Sequence, residues 1–439
     1  MVINQPIDAQ PSALIPRGVA DYFWAEAEQR RHLETLLLET FRRWGYGDVL
    51  PPMFEYADTL GSRANSELQA ALVRFQDRDG STLALRGDMT IAVARLVGTR
   101  LHDWPMPQRF CYAGSVFRYT ELQAGRQREF WQAGIELIGA TAPAADAEIL
   151  ALTAKALQRA GLVDFRLVVG QMGYFHGLLQ ALHLPPDQQR MLHQAVNLNS
   201  EAGLADFMRV ATLPRAQRRA VEQLPYLSGQ NVEAILSQAD QLCLNEPMQS
   251  AVANMRAICH ALASYGLLDV LYLDLTEIHN LGYYTGITFE ALAPGLGFPV
   301  AAGGRYDHLI GSFGKPQAAV GAAFTLDRIL MAKHSATHPH QTPHPVAPDL
   351  LVAAQDSAEC LAIVEIWRAQ GTTVAVDVCA RQGRELGEMA HQIGSQWLLI
   401  WTGNGFDVYE NVGPSQASAY YLSAAEAKLK IWQLNTQRL

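Results

Sequence analysis

The sequence has few cysteines and no long apolar run, and each absence excludes a class of protein. Its five cysteines include no Cys-x-x-Cys pair, so we expect neither a disulfide framework nor a structural zinc site. No stretch of about 18 apolar residues suggests a membrane span. The first 15 residues lack a basic region followed by an apolar segment, so no signal peptide is predicted. Together these absences favour the cytoplasm and no membrane partner.

The common motifs of nucleotide-binding proteins and hydrolases are also missing. The sequence has no P-loop, no Gly-x-Gly-x-x-Gly after a strand, no His-Glu-x-x-His and no Gly-x-Ser-x-Gly. Its net charge of −9 gives no overall attraction to nucleic acid and leaves only a local basic face to consider. With 439 residues, 49% apolar and 18% charged, the chain has the composition of a globular protein of two or three domains.

The hydrophobic pattern divides the chain into a core, a linker and a smaller C-terminal domain. Residues 1–333 form the predicted core, with an inserted helical subdomain at about 185–265, where glycine is scarce and the periodicity is helical. Four histidines and four prolines crowd residues 334–348. The prolines prevent a regular array of metal ligands, so this segment is predicted to be a linker. Beyond it, alternating strands and helices over 349–439 predict an α/β domain with a largely parallel sheet.

Two junctions in the core carry positional signals. Pro51-Pro52 ends a predicted strand over 48–53, and because proline belongs at strand edges, this strand is placed at a boundary or a dimer seam. Asp88 and Thr90 stand at a later junction between strand and helix. The general role of these residue types at such a junction is to cap the helix.

Two predicted strands, at 112–119 and 129–138, form the central feature of the sequence. A polar loop with one glycine joins them, as in an antiparallel hairpin. Because side chains alternate between the faces of a strand, Gln132 and Glu136 point the same way from an otherwise apolar strand. A buried carboxylate is costly unless something donates to it. Two interpretations stay open at this point: an internal ion pair of Arg118 with Glu136, or a pocket for a small charged ligand.

Five segments in this order resemble the catalytic core of histidyl-tRNA synthetase, a class II aminoacyl-tRNA synthetase. The resemblance extends over about 16–329, and the C-terminal domain resembles that family's anticodon-binding module. It implies an α+β, class II aminoacyl-tRNA synthetase-like fold: an antiparallel sheet flanked by helices, with a helical insertion and a C-terminal α/β domain. The segments are 85–90, 117–136, 282–290, 302–307 and 321–328.

The residues that the resemblance assigns to the amino-acid pocket are mostly present. It implies a histidine-binding site in which carboxylates hold the ammonium group and Arg118 holds the ligand's carboxylate. Glu136 and a neighbouring tyrosine would surround the imidazole. Asp88 is a shortened version of the usual glutamate. The complete histidine-binding set is Asp88, Thr90, Arg118, Gln132, Glu136, Tyr283 and Tyr284.

The residues that the resemblance assigns to ATP are altered. Thr120 replaces the glutamate of adenine recognition, and Glu121 puts a negative charge where the phosphates would lie. His279 replaces the arginine that would stabilise charge during adenylate formation, and imidazole is a poor substitute for a fixed guanidinium. In the third motif of the class II core, which lies in segment 321–328, Arg328 is kept. Two further departures there are Thr325 and Asp327, in place of glycine and glutamate.

The C-terminal domain departs from a tRNA-reading module in its charge. Residues 346–439 contain six Lys or Arg and ten Asp or Glu, a net charge of −4. A module that binds tRNA normally needs a positive face to offset phosphate charge. We therefore expect no tRNA binding.

The sequence keeps the amino-acid pocket but has altered residues at the positions that the synthetase uses for ATP. In this it resembles a non-catalytic relative of this core, the family of ATP phosphoribosyltransferase regulatory subunits. That resemblance implies a subunit with no catalytic residues, no cofactor and no metal. It would take histidine as effector and act with a separate, short-form ATP phosphoribosyltransferase catalytic subunit in the first step of histidine biosynthesis. A core homodimer within a larger hetero-oligomer is also implied. Two alternatives stay open: an active, divergent histidyl-tRNA synthetase, and a stand-alone amino-acid sensor or scaffold.

Overall fold

A computed structural model describes residues 15–61, 66–119, 127–198, 200–276, 284–337, 347–410 and 417–428. These residues divide into two compact units. The larger unit takes in 15–21 and 30–337, and the smaller unit takes in 22–29 and 347–428.

The strands of the described chain are β1 (Gly47–Asp48), β2 (Phe54–Tyr56), β3 (Arg74–Gln76), β4 (Thr82–Leu85), β5 (Gln108–Phe117), β6 (Glu129–Ile138), β7 (Arg166–Gln171), β8 (Ser228–Gly229), β9 (Leu271–Asp274), β10 (Ile287–Leu292), β11 (Ala301–Arg305), β12 (Ala319–Thr325), β13 (Leu350–Ala353), β14 (Val374–Val376), β15 (Trp397–Trp401), β16 (Gly405–Glu410) and β17 (Ala417–Ser423).

The α-helices are α1 (Trp24–Arg43), α2 (Ala57–Gly61), α3 (Ser66–Ala71), α4 (Thr90–Leu96), α5 (Pro143–Arg159), α6 (Met172–Leu182), α7 (Pro186–Asn197), α8 (Glu201–Val210), α9 (Arg215–Gln223), α10 (Val232–Gln241), α11 (Glu246–Ser264), α12 (Leu326–Thr337), α13 (Ala358–Ala369) and α14 (Gly383–Gln392).

Nine strands of the larger unit form its main sheet, in the order β1-β5-β6-β12-β11-β10-β7-β9-β8. β1 pairs with β5 and β7 pairs with β9 in parallel, and the other neighbours are antiparallel. A smaller sheet has the order β2-β4-β3. Strands β5 and β6, which the sequence predicted as an antiparallel pair, therefore lie inside the main sheet.

The two faces of the main sheet belong to two hydrophobic cores, because successive side chains of a strand point to opposite faces. Ile135 of β6 and Phe324 of β12 pack on one face, in a core that they share with α1, α5, α6 and α11. Tyr112 of β5 and Ile138 of β6 pack on the other face, in a second core that includes Ile91 of α4. The second face carries the polar side chains of the candidate site.

Helix α5 shows how the sequence covers the first face. Pro143 stands in its first turn, where the missing N–H has no intrahelical partner to lose. A run of alanine and leucine follows, and its buried members include Ile149, Leu150 and Leu157. These good helix formers bury an apolar surface against the sheet without crowding it. The N-terminus of α5 also holds Asp146, which forms a buried ion pair with Arg305 of β11.

Three predicted boundaries differ from the structure. The strand predicted over 48–53 is limited to Gly47–Asp48, because the residues around Pro51-Pro52 cannot continue a hydrogen-bonded ladder. The region 185–265 is mainly helical as predicted, but Ser228–Gly229 forms strand β8 at the edge of the main sheet. Helix α12 continues to Thr337 and so takes in the first residues of the segment predicted as a linker.

The smaller unit contains a five-stranded sheet, in the order β14-β13-β15-β16-β17. Its first three strands are parallel, but β16 and β17 are antiparallel additions that the sequence prediction missed. The signal was Gly403-Asn404-Gly405, a turn sequence between two apolar runs. Trp367 of α13 packs on one face of this sheet and Leu386 of α14 on the other. The prediction of a largely parallel sheet was therefore wrong for half of the strand pairs.

In the described part of the chain, no helix combines the length and the apolar character needed to cross a membrane.

Candidate ligand-binding site

The candidate site is centred on Glu136, near the end of β6 and in the middle of the main sheet. Only 1% of Glu136 is exposed. Gly321 of β12 lies directly opposite it, and Gly304 of β11 lies opposite Gly321. Opposite residues of an antiparallel pair point to the same face, so two glycines without side chains lie next to Glu136 on its β12 side. The sheet therefore leaves room above these two glycines.

The glycine at 321 is required by a close approach. A Cβ atom built on Gly321 would lie 1.8 Å from Oε2 of Glu136 and 2.7 Å from the main-chain oxygen of Ile135. A Cβ on Gly304 would lie 2.7 Å from the ring of Tyr284. Any larger residue at either position would fill the space that these side chains use. The glycines thus let a carboxylate and an aromatic ring lie flat against the sheet.

Three hydroxyl groups hold the Glu136 carboxylate. Thr90 Oγ1 donates to Oε1 at 2.8 Å, and the Tyr112 hydroxyl donates to the same oxygen at 3.0 Å. The Tyr306 hydroxyl donates to Oε2. A carboxylate offers about four acceptor positions. Glu136 can therefore accept one more hydrogen bond from a ligand.

Burial dominates the titration of this carboxyl. Desolvation raises the pKa of Glu136 to about 7, although the hydroxyls of Tyr306, Thr90 and Tyr112 oppose the rise and the charge of Asp88 adds to it. The pKa of the Tyr112 hydroxyl is raised well above its usual value, first by burial and then by the nearby Glu136 charge. The tyrosine thus stays a neutral donor. Near neutral pH, Glu136 takes up a proton or releases one at little cost in free energy.

The raised pKa of Glu136 predicts a pH dependence of stability. Between pH 4.5 and about 7 the native chain holds a proton that the unfolded chain has released. The free energy of unfolding therefore falls as the pH rises through this window, by on the order of 3 kcal/mol from this one group. Urea unfolding of the wild type and of Glu136→Gln at pH 5 and pH 7.5 measures the effect. The stability of the wild type relative to Glu136→Gln should fall from pH 5 to pH 7.5, because glutamine stays neutral at both values. A constant difference would contradict the raised pKa of Glu136.

Asp88 and Thr90 connect Glu136 to Arg118. Asp88 Oδ1 accepts a hydrogen bond from the main-chain N–H of Thr90 at 2.6 Å, at the start of α4. The Nη2 atom of Arg118 lies 3.8 Å from Asp88 Oδ2, and its Nε donates to the main-chain oxygen of Gly87 at 2.7 Å. The N-cap residue of α4 is Met89, which makes no side-chain cap hydrogen bond, so neither Asp88 nor Thr90 is the expected cap. Asp88 accepts instead from the N–H of the first helical residue, and it also positions the arginine. The sequence left open a direct ion pair of Arg118 with Glu136. In the structure the two side chains are connected instead by the contacts of Arg118 with Asp88, of Asp88 with Thr90 and of Thr90 with Glu136, which we call the relay.

Gln132 lies on the same face as Glu136, as the alternation of β6 predicted. It is 4% exposed, and it lies opposite Gly114 of β5 and Thr325 of β12. Its Oε1 atom is buried without a hydrogen-bond partner among the described residues. An unpaired buried carbonyl costs about 1–3 kcal/mol. A ligand with an N–H or O–H donor would remove this cost.

The structure brings together six of the seven predicted histidine-binding residues: Asp88, Thr90, Arg118, Gln132, Glu136 and Tyr284. Tyr284 is placed in the site because its ring lies against Gly304. Tyr283 lies outside the described residues, as do Thr120, Glu121 and His279. Whether these residues bind histidine stays a prediction. What the structure adds is that five polar groups line one face of the sheet.

Two residues of the candidate site were missed from the sequence, Tyr112 and Tyr306. Tyr112 has the same strand parity as Arg118, and its ring packs against Gly134, where a Cβ would lie 2.4 Å away. Parity alone could have placed Tyr112 on the polar face. Tyr306 follows the Gly303-Gly304-Arg305 segment, which is a weak signal by itself. Only the fold shows that its hydroxyl reaches Glu136.

The third-motif residues are engaged within the chain. Asp327 pairs with Arg30 and accepts a hydrogen bond from the main-chain N–H of Trp131 at 2.9 Å. Arg328 donates to the main-chain oxygen of Pro299 at 2.8 Å, and its guanidinium lies 4.7 Å from the ring centre of Phe298. Among the described residues, no group of three or more His, Cys, Asp or Glu side chains could hold a metal ion.

Comparison with known proteins assigns the family. The family model for histidyl-tRNA synthetase matches residues 18–329. A protein of Moorella thermoacetica named ATP phosphoribosyltransferase regulatory subunit is 40% identical over 390 residues, which cover 89% of this chain and 98% of the relative. The chain belongs to the family of ATP phosphoribosyltransferase regulatory subunits.

Solved structures agree with this family assignment. A Bacillus halodurans protein, described as an ATP phosphoribosyltransferase regulatory subunit/histidyl-tRNA synthetase, superposes with a TM-score of 0.79 at 28% identity, over 88% of this chain and 98% of its own. Histidyl-tRNA synthetase from Nostoc sp. PCC 7120 gives a TM-score of 0.77 at 18% identity, over 97% and 99%. That identity supports the fold alone. The class II aminoacyl-tRNA synthetase-like fold predicted from the sequence is confirmed.

Proposed function

We propose that this chain is a non-catalytic regulatory subunit of ATP phosphoribosyltransferase and that histidine is the effector it binds at the Glu136 site. It would act with a separate, short-form catalytic chain in the first step of histidine biosynthesis, in the cytoplasm. The observation that carries the proposal is the held carboxylate of Glu136, with one acceptor position left, beside the unpaired amide oxygen of Gln132. These groups suit a small ligand rich in N–H donors.

The site offers a partner for each polar part of histidine. An imidazole N–H would donate to Glu136, with the Tyr284 ring beside it. The ammonium group would lie near Asp88 and Thr90, and the carboxylate would pair with Arg118. The relay from Arg118 through Asp88 and Thr90 to Glu136 supports this orientation, because it joins the cationic and anionic ends in one set of contacts. A ligand without a hydrogen-bond donor for Gln132 would leave its buried amide oxygen unpaired.

The residues that would serve ATP support the non-catalytic part of the proposal. At the positions that the synthetase uses for ATP, the chain has Thr120 in place of a glutamate and His279 in place of an arginine. Glu121 adds a negative charge there. Arg328, the retained arginine of the third motif, is engaged with Pro299 and Phe298. A chain with these changes keeps an amino-acid pocket and lacks the means to activate the amino acid.

The assembly that we propose is a core homodimer within a hetero-oligomer that includes the catalytic chain. The acidic C-terminal domain, with a net charge of −4, makes tRNA an unfavourable partner. Its α/β unit would serve as a structural or partner-binding module instead. Neither a cofactor nor a metal is required for these roles.

The Thr90 hydroxyl gives a graded test of the pocket. Thr90→Val keeps the shape of the side chain and removes one donor to Glu136, so histidine should bind about 10-fold more weakly. Thr90→Ser keeps the hydroxyl and should stay within about threefold of the wild type. Calorimetric titration measures both. Equal affinities for the valine and serine variants would contradict a role for this hydroxyl.

Reconstitution with a purified short-form catalytic chain tests the proposed function. Added alone, that chain should have little phosphoribosyltransferase activity, and adding the present chain should restore it. Histidine should then change the restored activity, and a Glu136→Gln complex should respond only at higher histidine concentrations. If the catalytic chain is equally active with and without the present chain, the regulatory role is wrong.

A further inference from the structure

Glu136 is a buried carboxylate whose hydrogen-bond partners, in the part of the chain that the structure describes, are all neutral hydroxyl groups. They belong to Thr90, Tyr112 and Tyr306. Among the same residues, no Lys, Arg or His side chain forms an ion pair with Glu136. A charge that is buried without an opposite charge is costly. The carboxylate therefore gains from a proton, or from a cation that a ligand brings.

Asp88 and Arg118, the charged side chains of the relay, already face each other. Arg118 Nη2 lies 3.8 Å from Asp88 Oδ2. In the proposed orientation of histidine, the ammonium group lies near Asp88 and the carboxylate pairs with Arg118, so these four charges cancel. Two titrating groups then remain: Glu136 in the site and the imidazole ring in the ligand.

Three further charged side chains come from neighbouring elements, and none of them matches the charge of Glu136. The guanidinium of Arg86 lies against β5, where it binds a main-chain oxygen. Arg128 precedes the opposite end of β6, and its guanidinium lies 4.5 Å from the ring centre of Tyr119. Glu290 of β10 shares the face of Glu136, but β11 and β12 separate the two strands.

The number of titrating protons on Glu136 and a bound imidazole ring decides whether this buried pair is neutral. With none, the carboxylate keeps an unmatched negative charge, to which the charge of Asp88 is opposed. With two, a cationic ring faces a neutral acid whose proton occupies an acceptor position. With one, the carboxylate and the imidazolium cancel, and the N–H of the ring donates to the position that the three hydroxyls leave open. The state with one proton is therefore the favoured one.

The space beside Glu136 suits a flat ring that carries a charge. Gly321 and Gly304 have no side chains, and a Cβ on Gly304 would lie 2.7 Å from the ring of Tyr284. An aromatic ring attracts a cation, and the attraction is larger in a site without water. An imidazolium in this space would meet the carboxylate and the tyrosine ring together.

We propose that the site holds one titrating proton between Glu136 and the ring of its ligand, so that it selects a ring that is basic near neutral pH. The identity of the ligand as histidine rests on the proposed function, and the inference adds what the site requires of the ring. It also makes the affinity for the effector depend on pH in both directions.

The pH dependence of the affinity follows from the protons that must move on binding. Burial raises the pKa of Glu136 to about 7 in the free chain, and an imidazole has a pKa of about 6.5. Well below these values both groups carry a proton, so one proton must leave. Well above them both groups have lost theirs, so one must be taken up. The affinity should be highest between about pH 6.5 and 7, and about 10-fold weaker at pH 5 and at pH 8.5.

Calorimetric titration of the full chain with histidine at pH 5, 6.8 and 8.5 tests this profile. Each titration is run in two buffers with different enthalpies of ionisation, because the difference between them counts the protons that move. We expect the release of about one proton per histidine at pH 5, almost none at pH 6.8 and the uptake of about one at pH 8.5. Circular dichroism at each pH checks that the chain is folded.

Glu136→Gln removes the proton site of the chain and keeps the shape of the side chain. Its amide oxygen can accept from a neutral ring, so the affinity should rise from pH 5 and then stay level, without the fall above pH 7. Glu129→Gln is the matched control, because Glu129 lies on the opposite face of β6. It should keep both the rise and the fall.

The analogue 1,2,4-triazole-3-alanine tests the ring with the wild-type chain. Its ring has the shape of imidazole but is a much weaker base, so it carries no proton at pH 5. The loss of affinity at low pH should therefore disappear, while the loss above pH 7 should stay, because the one proton must then lie on Glu136. Histidine should bind more tightly than the analogue at pH 6.8.

The outcomes separate this inference from the proposed function. Equal pH profiles for the wild type and Glu136→Gln, or for histidine and the analogue, would overturn the inference alone, since histidine would still bind. An affinity that only rises or only falls between pH 5 and 8.5 would do the same. If histidine binds at none of these pH values, the proposed function fails and the inference fails with it.

Discussion

Glu136→Gln should weaken histidine binding by about 10- to 100-fold while the fold stays intact. The amide has the size of the carboxylate, and the hydroxyls of Thr90, Tyr112 and Tyr306 can rotate to accept or donate as the amide requires. What is lost is the charge that an imidazole N–H would meet in a buried site, where a hydrogen bond to a charged group contributes most. Calorimetric titration with histidine measures the change in affinity.

Glu129→Gln is the matched control for this substitution. Glu129 lies on the same strand, but its odd number places it on the opposite face from Glu136. The control should bind histidine as the wild type does. A wild-type affinity for Glu136→Gln, with circular dichroism showing a folded chain, would remove Glu136 from the site.

Gly321→Ala should both destabilise the chain and abolish ligand binding. The new methyl group would stand 1.8 Å from Oε2 of Glu136 and 2.7 Å from the oxygen of Ile135, and one of these is main chain that cannot move aside. We expect a loss of about 3 kcal/mol in the free energy of unfolding, at the upper end for an overpacked core. The melting temperature should fall by about 6 °C or more. Urea and thermal unfolding measure these changes.

Gly297→Ala provides the comparison for Gly321→Ala. Nothing lies within 4 Å of a Cβ at Gly297, so its stability should change by less than about 0.5 kcal/mol. If both alanine variants were equally stable and bound histidine alike, the close approach of Glu136 to β12 would be wrong.

The strand pattern of the site could be predicted because parity along a strand is a local property. Gln132 and Glu136 are each two residues from Gly134, and the structure places all three on one face of β6. The contact of Asp88 with the main-chain N–H of Thr90 is also local, since it joins residues two apart, although the N-cap residue of α4 is Met89. These predictions required no knowledge of how the strands are ordered in the sheet.

The partners of Glu136 could not be predicted in the same way. Tyr306 is 170 residues from Glu136, and its hydroxyl reaches Oε2 only because β11 and β12 bring that segment to β6. The relay through Asp88 depends on α4 lying over the same face. For the same reason Ser228–Gly229, a two-residue strand, has no signal of its own and forms only beside β9. Strand order and long-range contacts are tertiary properties that outweigh local propensity.

The central claim is that this family member binds histidine without activating it. Histidine-dependent exchange between ATP and pyrophosphate, run beside a calorimetric histidine titration on the same preparation, tests this most directly. We predict saturable histidine binding and no exchange above background, because the resemblance to the synthetase implies that Thr120, Glu121 and His279 stand in place of groups that serve ATP. Exchange at the rate of a histidyl-tRNA synthetase would contradict the account and assign the chain to the active enzymes of this fold.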